Sequence, residues 1–213
     1  MSFFVWYTTF KEGVFMDKQR LDKQFAFIKE IDKDKLIKRQ TLLTDKVTLE
    51  NDAEHAWHMA IMTLLLSEYA NEKIDVLKTI SMLLIHDLVE IKAGDTYCYD
   101  EVNKETQRQR ELEAADYIFS MLPKDQGEKF RALWDEFEEE DTPEARFARA
   151  MDRVQPVMLN DASDGKKWVE HEVCLSQVMK RNAPVEKGSK VLWEYVLNEF
   201  ISPNVEKGRL KNQ

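Results

Sequence analysis

Apolar residues in the first half of the chain recur three or four positions apart, the spacing that puts side chains on one helix face. This spacing predicts a helix over 17–37 and two further helices before Gly94. Their expected inward positions are Leu21, Phe25, Ile28 and Ile31, then Trp57, Ile61, Leu64 and Leu65, then Ile74, Leu77, Ile80, Leu84 and Leu88. Residues 39–52 lack the period and are expected to be irregular, with Asp52 capping the second helix.

The second half of the chain has the same helical character. The expected inward positions are Leu112, Ala115, Phe119 and Leu122, then Phe130, Leu133, Trp134 and Phe137, then Phe147, Ala150, Met151, Val154 and Met158. Pro123 ends the first of these helices, and Thr142 and Pro143 begin the third as its cap and first residue. Two more helices are expected near 164–181 and 188–201. The pattern therefore predicts an all-α fold, a single-domain helical bundle.

Length and composition fit this interpretation. A chain of 213 residues with 43% apolar and 33% charged residues is long enough for one globular domain with a sizeable core. Only 6 Gly and 5 Pro interrupt the helical pattern. We expect the domain to occupy residues 16–213. Residues 1–15 are expected to be an N-terminal appendage, either a disordered extension or the product of an upstream start site.

The net charge limits the possible binding partners, and the cysteines indicate the compartment. A net charge of −9 disfavours binding to a nucleic-acid polymer, although a bound metal can attract a small phosphorylated ligand. The chain has no run of about 18 apolar residues, so no membrane span is expected. Cys98 and Cys174 lack metal-knuckle spacing and are interpreted as free thiols of a cytoplasmic protein.

Candidate chemistry centres on the pair His86-Asp87, near the end of an apolar run. A single such pair occurs often by chance, but His55 lies upstream and Asp152 downstream, both on expected helices. Two imidazoles and two carboxylates suit a divalent transition metal, and they leave coordination positions open for water and substrate. The four side chains are therefore candidate ligands of one cation: Mn, Co, Fe, Ni or Zn.

Three segments carry a resemblance to a known family: 50–55 (Glu-Asn-Asp-Ala-Glu-His), 86–95 (His-Asp-Leu-Val-Glu-Ile-Lys-Ala-Gly-Asp) and 142–153, which ends in Met-Asp-Arg. The chain resembles the HD-domain metal-dependent phosphohydrolases, and within them it is similar to bacterial 5′-deoxynucleotidases. The resemblance extends over about residues 20–200. It implies that His55, His86, Asp87 and Asp152 bind one divalent cation.

The resemblance also implies roles for three further residues. Glu90 would act beside the metal as general acid and base, and Asp95 would contact the sugar or the leaving oxygen. Arg39 is the nearest match to a substrate-binding arginine, although Gln40 and Thr41 replace the family's Trp-Pro. The alternative for Asp95 is a turn cap after Gly94.

The histidines bear on the number of metals. No histidine lies between Asp87 and Asp152, whereas two-metal members of the family have additional histidines there, so we expect a mononuclear site. His58 is interpreted as a helix-surface residue or a neighbour of the ligands, and His171 as a solvent-facing or interface residue.

The expected function is metal-dependent hydrolysis of the 5′-phosphate of (deoxy)nucleoside monophosphates by a metal-activated water. One alternative is a hydrolase of the same fold that acts on nucleoside triphosphates or a signalling nucleotide. The sequence shows no basic cluster for a triphosphate tail, which weighs against it. The other alternative is a non-catalytic, metal-binding regulatory protein. The resemblance further implies a homodimer.

Overall fold

Helices form nearly all of the regular structure in the computed structural model, which describes residues 17–94 and 104–212. The α-helices are α1 (Lys18–Glu30), α2 (Asp52–Leu66), α3 (Val76–Ile85), α4 (Glu90–Ala93), α5 (Lys104–Ser120), α6 (Lys124–Glu139), α7 (Pro143–Ala162), α8 (Lys166–Glu170), α9 (Leu175–Asn182), α10 (Val185–Gly188), α11 (Lys190–Val196) and α12 (Ser202–Glu206). Tighter 3₁₀ turns occupy Ile31–Leu36, Ser67–Tyr69 and His86–Val89, and a π-helical turn joins α11 to α12 at Leu197–Ile201. The prediction of an all-α fold is confirmed.

A short hairpin replaces the irregular segment expected over 39–52. Strands β1 (Lys38–Leu42) and β2 (Leu49–Asn51) pair antiparallel. The Asp45 carboxylate closes the turn by accepting hydrogen bonds from the backbone of Val47 and Thr48. The strands are too short for a period-two pattern to stand out in the sequence.

The start of α2 also differs from the expectation. Asn51, not Asp52, is the N-cap: its side chain accepts from the Glu54 backbone N–H at 2.9 Å. The Glu54 carboxylate accepts from the Asn51 backbone N–H at 2.9 Å in return, which completes a capping box. Asp52 is instead the first helical residue and is fully buried.

The inward faces expected for the first three helices were largely wrong. On α2, Trp57 is 63% exposed, and the buried residues include His55 and Met59. The inward positions that prove exposed are Leu21, Phe25, Ile28, Trp57, Ile61, Leu64, Leu65, Leu77 and Leu84. In α2 the inner face carries polar residues, and α2 and α3 have apolar residues on both faces. Hydrophobic periodicity therefore could not identify the buried face.

Hydrophobic periodicity identified the buried residues better in the second half of the chain. Buried positions there include Ala115, Phe119, Trp134, Phe137, Phe147 and Met151, as expected. The helix expected over 164–181 is two helices, α8 and α9, because the chain turns at Glu172, which has a positive φ of 52°. The helix expected over 188–201 begins at Lys190 as α11 and continues through the π-helical turn.

Two apolar clusters form the core, and α7 runs through the larger one. That cluster includes Met59, Leu83 and Phe147. The smaller cluster packs Leu88 and Trp134 with residues of α5. Helices α2 and α3 both pack on α7, so the inner sides of these three helices meet. None of the helices in the described ranges combines the length and apolar character that crossing a membrane requires.

Replacing Phe147 by Ala should destabilise the fold by about 3–5 kcal/mol, because the ring has no solvent exposure and its loss leaves a cavity. Thermal and urea unfolding would measure the change. Phe25→Ala is the matched control, since that ring is 57% exposed and should cost little. Equal unfolding midpoints for the two variants would contradict the assigned core.

Candidate metal centre

His55 reaches the interior from the first turn of α2. The capping box fixes where that helix starts, and His55 follows it immediately with no solvent exposure. Its Nδ1 lies 2.9 Å from Gln155 Oε1, an acceptor, so Nδ1 carries the proton. Nε2 is left as a lone pair, and it lies 3.2 Å from Asp152 Oδ1.

His86 follows the last residue of α3, where the helix tightens into the 3₁₀ turn His86–Val89. Its Nδ1 donates to the carbonyl oxygen of Leu83 at 2.9 Å, so Nε2 is the nitrogen that faces Asp87 and Asp152 and can bind a cation once it loses its proton. Trp134 Nε1 donates to the His86 carbonyl at 3.1 Å, and the His86 ring packs against Phe137 at 4.9 Å between centroids. The imidazole is therefore held on several sides.

Asp152 lies on the inner side of α7 and completes a compact group. One ligand atom each from His55, His86 and Asp152 lies within 4.8 Å of the others. His86 Nε2 is 3.7 Å from Asp152 Oδ1 and makes no well-formed hydrogen bond, although it is buried. Two buried imidazole nitrogens that face a carboxylate form a donor set for a divalent transition metal.

Asp87, the fourth expected ligand, lies at the edge of this group. Its Oδ1 is 3.0 Å from His86 Nε2, but its Oδ2 accepts a hydrogen bond from Arg39 Nη1 at 2.8 Å. The structure therefore brings three of the expected ligands together and places Asp87 beside them. Its role as a ligand stays a prediction.

The charges of the site depend strongly on one another. Burial opposes protonation of His86, but the carboxylates of Asp87 and Asp152 raise its pKa to about 10. Burial, together with the positive charge of Arg39, lowers the pKa of His55 to about 4. Without a metal, His86 therefore carries the positive charge between these carboxylates, and its ring lies 5.8 Å from the ring of His55. A bound divalent cation would replace the Nε2 proton of His86 and supply positive charge there instead.

Both carboxylates remain ionised in this field. Burial opposes the charge on Asp152, but its interactions with the imidazoles of His55 and His86 hold its pKa well below the usual range. Burial also opposes the charge on Asp87, but the positive charges of His86 and Arg39 hold the pKa of Asp87 below its usual range.

Arg39, which was expected to contact substrate, extends from β1 to Asp87. It also lines a cleft that borders the candidate ligands. Its Nη1 also donates to Asp52 Oδ1 at 3.0 Å, and its side chain is only 14% exposed. Burial opposes its charge, but Asp87 and Asp52 keep its pKa above the usual range. Arg39 thus orients Asp87, and its contact with substrate stays a prediction.

Glu90, the expected general acid and base, begins α4 and lines the same cleft as Asp87 and Asp152. Asp95 lies outside the described residues, and so do Cys98 and residues 1–16. The catalytic assignments of Glu90 and Asp95 therefore stay predictions.

A cleft of about 490 Å³ opens beside the ligands. Besides Arg39, five cationic side chains line it, from α7, α8 and α9. They are here called the basic wall: Arg149, Arg153, Lys167, Lys180 and Arg181. No basic cluster is apparent in the sequence because these residues are spread over 33 positions and three helices. The fold assembles it.

Comparison with known proteins decides the family. A profile of the HD-domain family matches residues 31–193. The chain belongs to the HD-domain family. Its resemblance to that family, inferred from the three sequence segments, is confirmed.

Relatives of this HD domain include enzymes and a solved structure. A predicted metal-dependent phosphohydrolase from Magnetospirillum magnetotacticum is 46% identical, with a TM-score of 0.86 over 90% of this chain and 96% of that one. The Dictyostelium discoideum 5′-deoxynucleotidase HDDC2 is 31% identical over 144 residues, 65% of this chain and 76% of that protein. The human 5′-deoxynucleotidase HDDC2 is 28% identical over 109 residues, 51% of this chain. The chain spans about half the length of the human protein, 52%.

Behind the candidate metal ligands of this HD domain lies a buried polar network that sequence reasoning missed. Gln155 has no solvent exposure, and its Nε2 donates to Glu50 Oε1 at 2.5 Å and to His58 Nδ1 at 3.2 Å. Burial raises the pKa of Glu50 to about 7. His58 therefore lies behind His55, at Gln155, and not among the ligand atoms. One signal was present: Gln155 lies three positions after Asp152 on an otherwise apolar helix face.

Replacing Gln155 by Leu should weaken metal binding by about 10–100-fold, because His55 Nδ1 loses the acceptor that fixes the orientation of its ring. Titration calorimetry with Mn²⁺ would measure the affinity. Gln109→Leu, an exposed glutamine on α5, is the control and should bind Mn²⁺ normally. An unchanged affinity in Gln155→Leu would show that the network does not orient His55.

Proposed function

We propose that this HD protein is a metal-dependent phosphohydrolase that removes the 5′-phosphate of (deoxy)nucleoside monophosphates. One observation carries the proposal: His55, His86 and Asp152 form a buried ligand group that borders a cleft lined by a carboxylate and by basic side chains. The similarity to proteins named 5′-deoxynucleotidases supports the choice of substrate.

The cation would be held by His55, His86 and Asp152, with Asp87 beside them. The chemistry that a bound divalent cation supplies is Lewis acidity, which offsets charge on phosphoryl oxygens and favours deprotonation of water. Imidazole ligands favour Mn, Co, Fe, Ni or Zn over Mg. We propose a single metal ion, in keeping with the absence of histidines between Asp87 and Asp152.

The proton transfers fall to Glu90. Its carboxylate lines the cleft beside Asp87 and Asp152, so it can accept a proton from the attacking water. The same group can then protonate the departing 5′ oxygen, which would otherwise leave as an alkoxide. Asp95, assigned by the resemblance, would contact the sugar or that oxygen. Arg39 keeps the Asp87 carboxylate in place through the bond from its Nη1.

We expect orthophosphate release from deoxynucleoside 5′-monophosphates in the presence of Mn²⁺ or Co²⁺, and loss of that activity after chelation. A malachite-green assay over ribo- and deoxynucleoside mono- and triphosphates would measure it. The double variant His86→Ala/Asp87→Ala should lose both metal and turnover, because it removes a ligand of the buried group and its neighbouring carboxylate.

Two further variants sharpen this test. Glu90→Gln should retain the metal and lose turnover by about 10²–10⁴-fold. His171→Ala/Asp141→Ala makes the same substitutions at two exposed positions and should remain active. A fully active His86/Asp87 variant would overturn the proposal. Metal binding without turnover on any nucleotide would favour a regulatory protein.

We propose further that the protein works as a homodimer in a reducing, cytoplasmic compartment. The free thiol of Cys174 supports the compartment. The dimer is supported by exposed apolar side chains on α2 and α3, where Trp57 is 63% exposed and Leu77 is 74% exposed. Exposed large apolar residues on two helices that pack together are typical of an interface.

Replacing Trp57 and Leu64 together by Glu should shift the protein from dimer to monomer, because each carboxylate would be desolvated at the interface. Sedimentation velocity at micromolar concentration would measure the mass. Lys129→Glu/Lys207→Glu changes two exposed lysines on α6 and beyond α12 and should remain dimeric. A monomeric wild-type protein would contradict the dimer.

A further inference from the structure

Two arginines of the basic wall, Arg149 and Arg153, contact the same carboxylate. Arg153 Nη2 donates to Glu140 Oε1 at 3.0 Å, and the same oxygen lies 3.4 Å from Arg149 Nε. Two guanidinium groups therefore share one carboxylate oxygen. Arg149 has a closer partner of its own, because its Nη2 donates to Glu138 Oε1 at 2.7 Å. Among the described residues, Arg153 depends on the shared Glu140 oxygen alone.

Arg153 also has an unused donor. Its Nη1 is buried and has no hydrogen-bond partner in the described part of the chain. A buried guanidinium N–H without an acceptor is unfavourable, so such a group normally has a partner. Arg153 lines the cleft, where a ligand oxygen can supply that acceptor.

Arg181 adds a second, uncompensated charge from α9. It lines the same cleft, and it lies near enough to Arg153 for the two positive charges to repel. Its side chain makes no ion pair or hydrogen bond with any residue of 17–94 or 104–212. In a chain of net charge −9, two neighbouring arginines short of counter-charges indicate that an anion binds between them.

We propose that Arg153 and Arg181 form a subsite that binds a phosphate group of the nucleotide. The planar guanidinium fork matches phosphate oxygens, and Arg153 directly follows the candidate ligand Asp152, so the subsite borders the metal centre. The subsite rests on the proposed function for the identity of its ligand. That phosphate is either the group cleaved from a monophosphate or a further phosphate of a triphosphate.

The test compares Arg153→Gln and Arg181→Gln with Lys129→Gln, which removes one positive charge from an exposed position on α6. Calorimetry on the Mn²⁺-loaded protein would measure the affinity for inorganic phosphate and for tripolyphosphate at constant ionic strength. Each arginine variant should bind about tenfold more weakly than the control, and Arg181→Lys should recover part of the loss. Arg181 is only partly buried, so its variants remain informative if Arg153→Gln fails to fold.

Steady-state kinetics with dAMP and dATP would show which phosphate of the nucleotide occupies the subsite. A rise in KM for both nucleotides, with kcat less affected, places the cleaved phosphate at the subsite; a rise for dATP alone places a further phosphate there. Phosphate affinity and KM equal to those of Lys129→Gln in both variants would overturn the subsite. Weakened phosphate binding in a protein that hydrolyses no nucleotide would support the subsite and overturn the proposed hydrolysis.

Discussion

The structure depends on balancing the negative charges of two carboxylates, Asp87 and Asp152, where α2, α3 and α7 meet. Asp87 and Asp152 are ionised in an apolar interior, which is costly unless positive charge faces them. That charge comes from Arg39 on β1 and from the imidazole of His86, which are held in turn by hydrogen bonds. The contacts that orient a candidate metal site thus also fix the hairpin and the helices relative to one another.

This constraint explains why sequence reasoning found the candidate ligands but missed their supports. His55, His86 and Asp152 stood out because a histidine or aspartate is unusual on an apolar helix and has recognisable chemistry. Gln155 had only one signal, its position on an apolar helix face, and nothing in the sequence set the role of Glu50 apart from that of other acidic residues. Their importance lies in contacts between residues 105 positions apart, which no local pattern contains.

The same constraint explains the errors in the predicted core. Periodicity assigns the apolar side of a helix to the interior, and this worked for α5, α6 and α7, which have polar outer faces. On α2 the inner face had to carry His55, so much of its apolar surface, including Trp57 and Leu64, faces outward. The reversed helix is itself informative, because exposed apolar residues opposite a buried polar site leave a second surface available for association.

A protein with a net negative charge can bind a nucleotide phosphate only where the local electrostatic potential is positive. With a net charge of −9, long-range electrostatics repel a phosphate at low ionic strength. Within about 10 Å, where screening in water is incomplete, nearby charges dominate. The basic wall supplies positive charge to the cleft, while Asp87 and Asp152, which line the same cleft, attract a cation. A phosphate that contacts both the basic wall and a bound cation would be attracted by both, so metal and nucleotide should each strengthen the binding of the other.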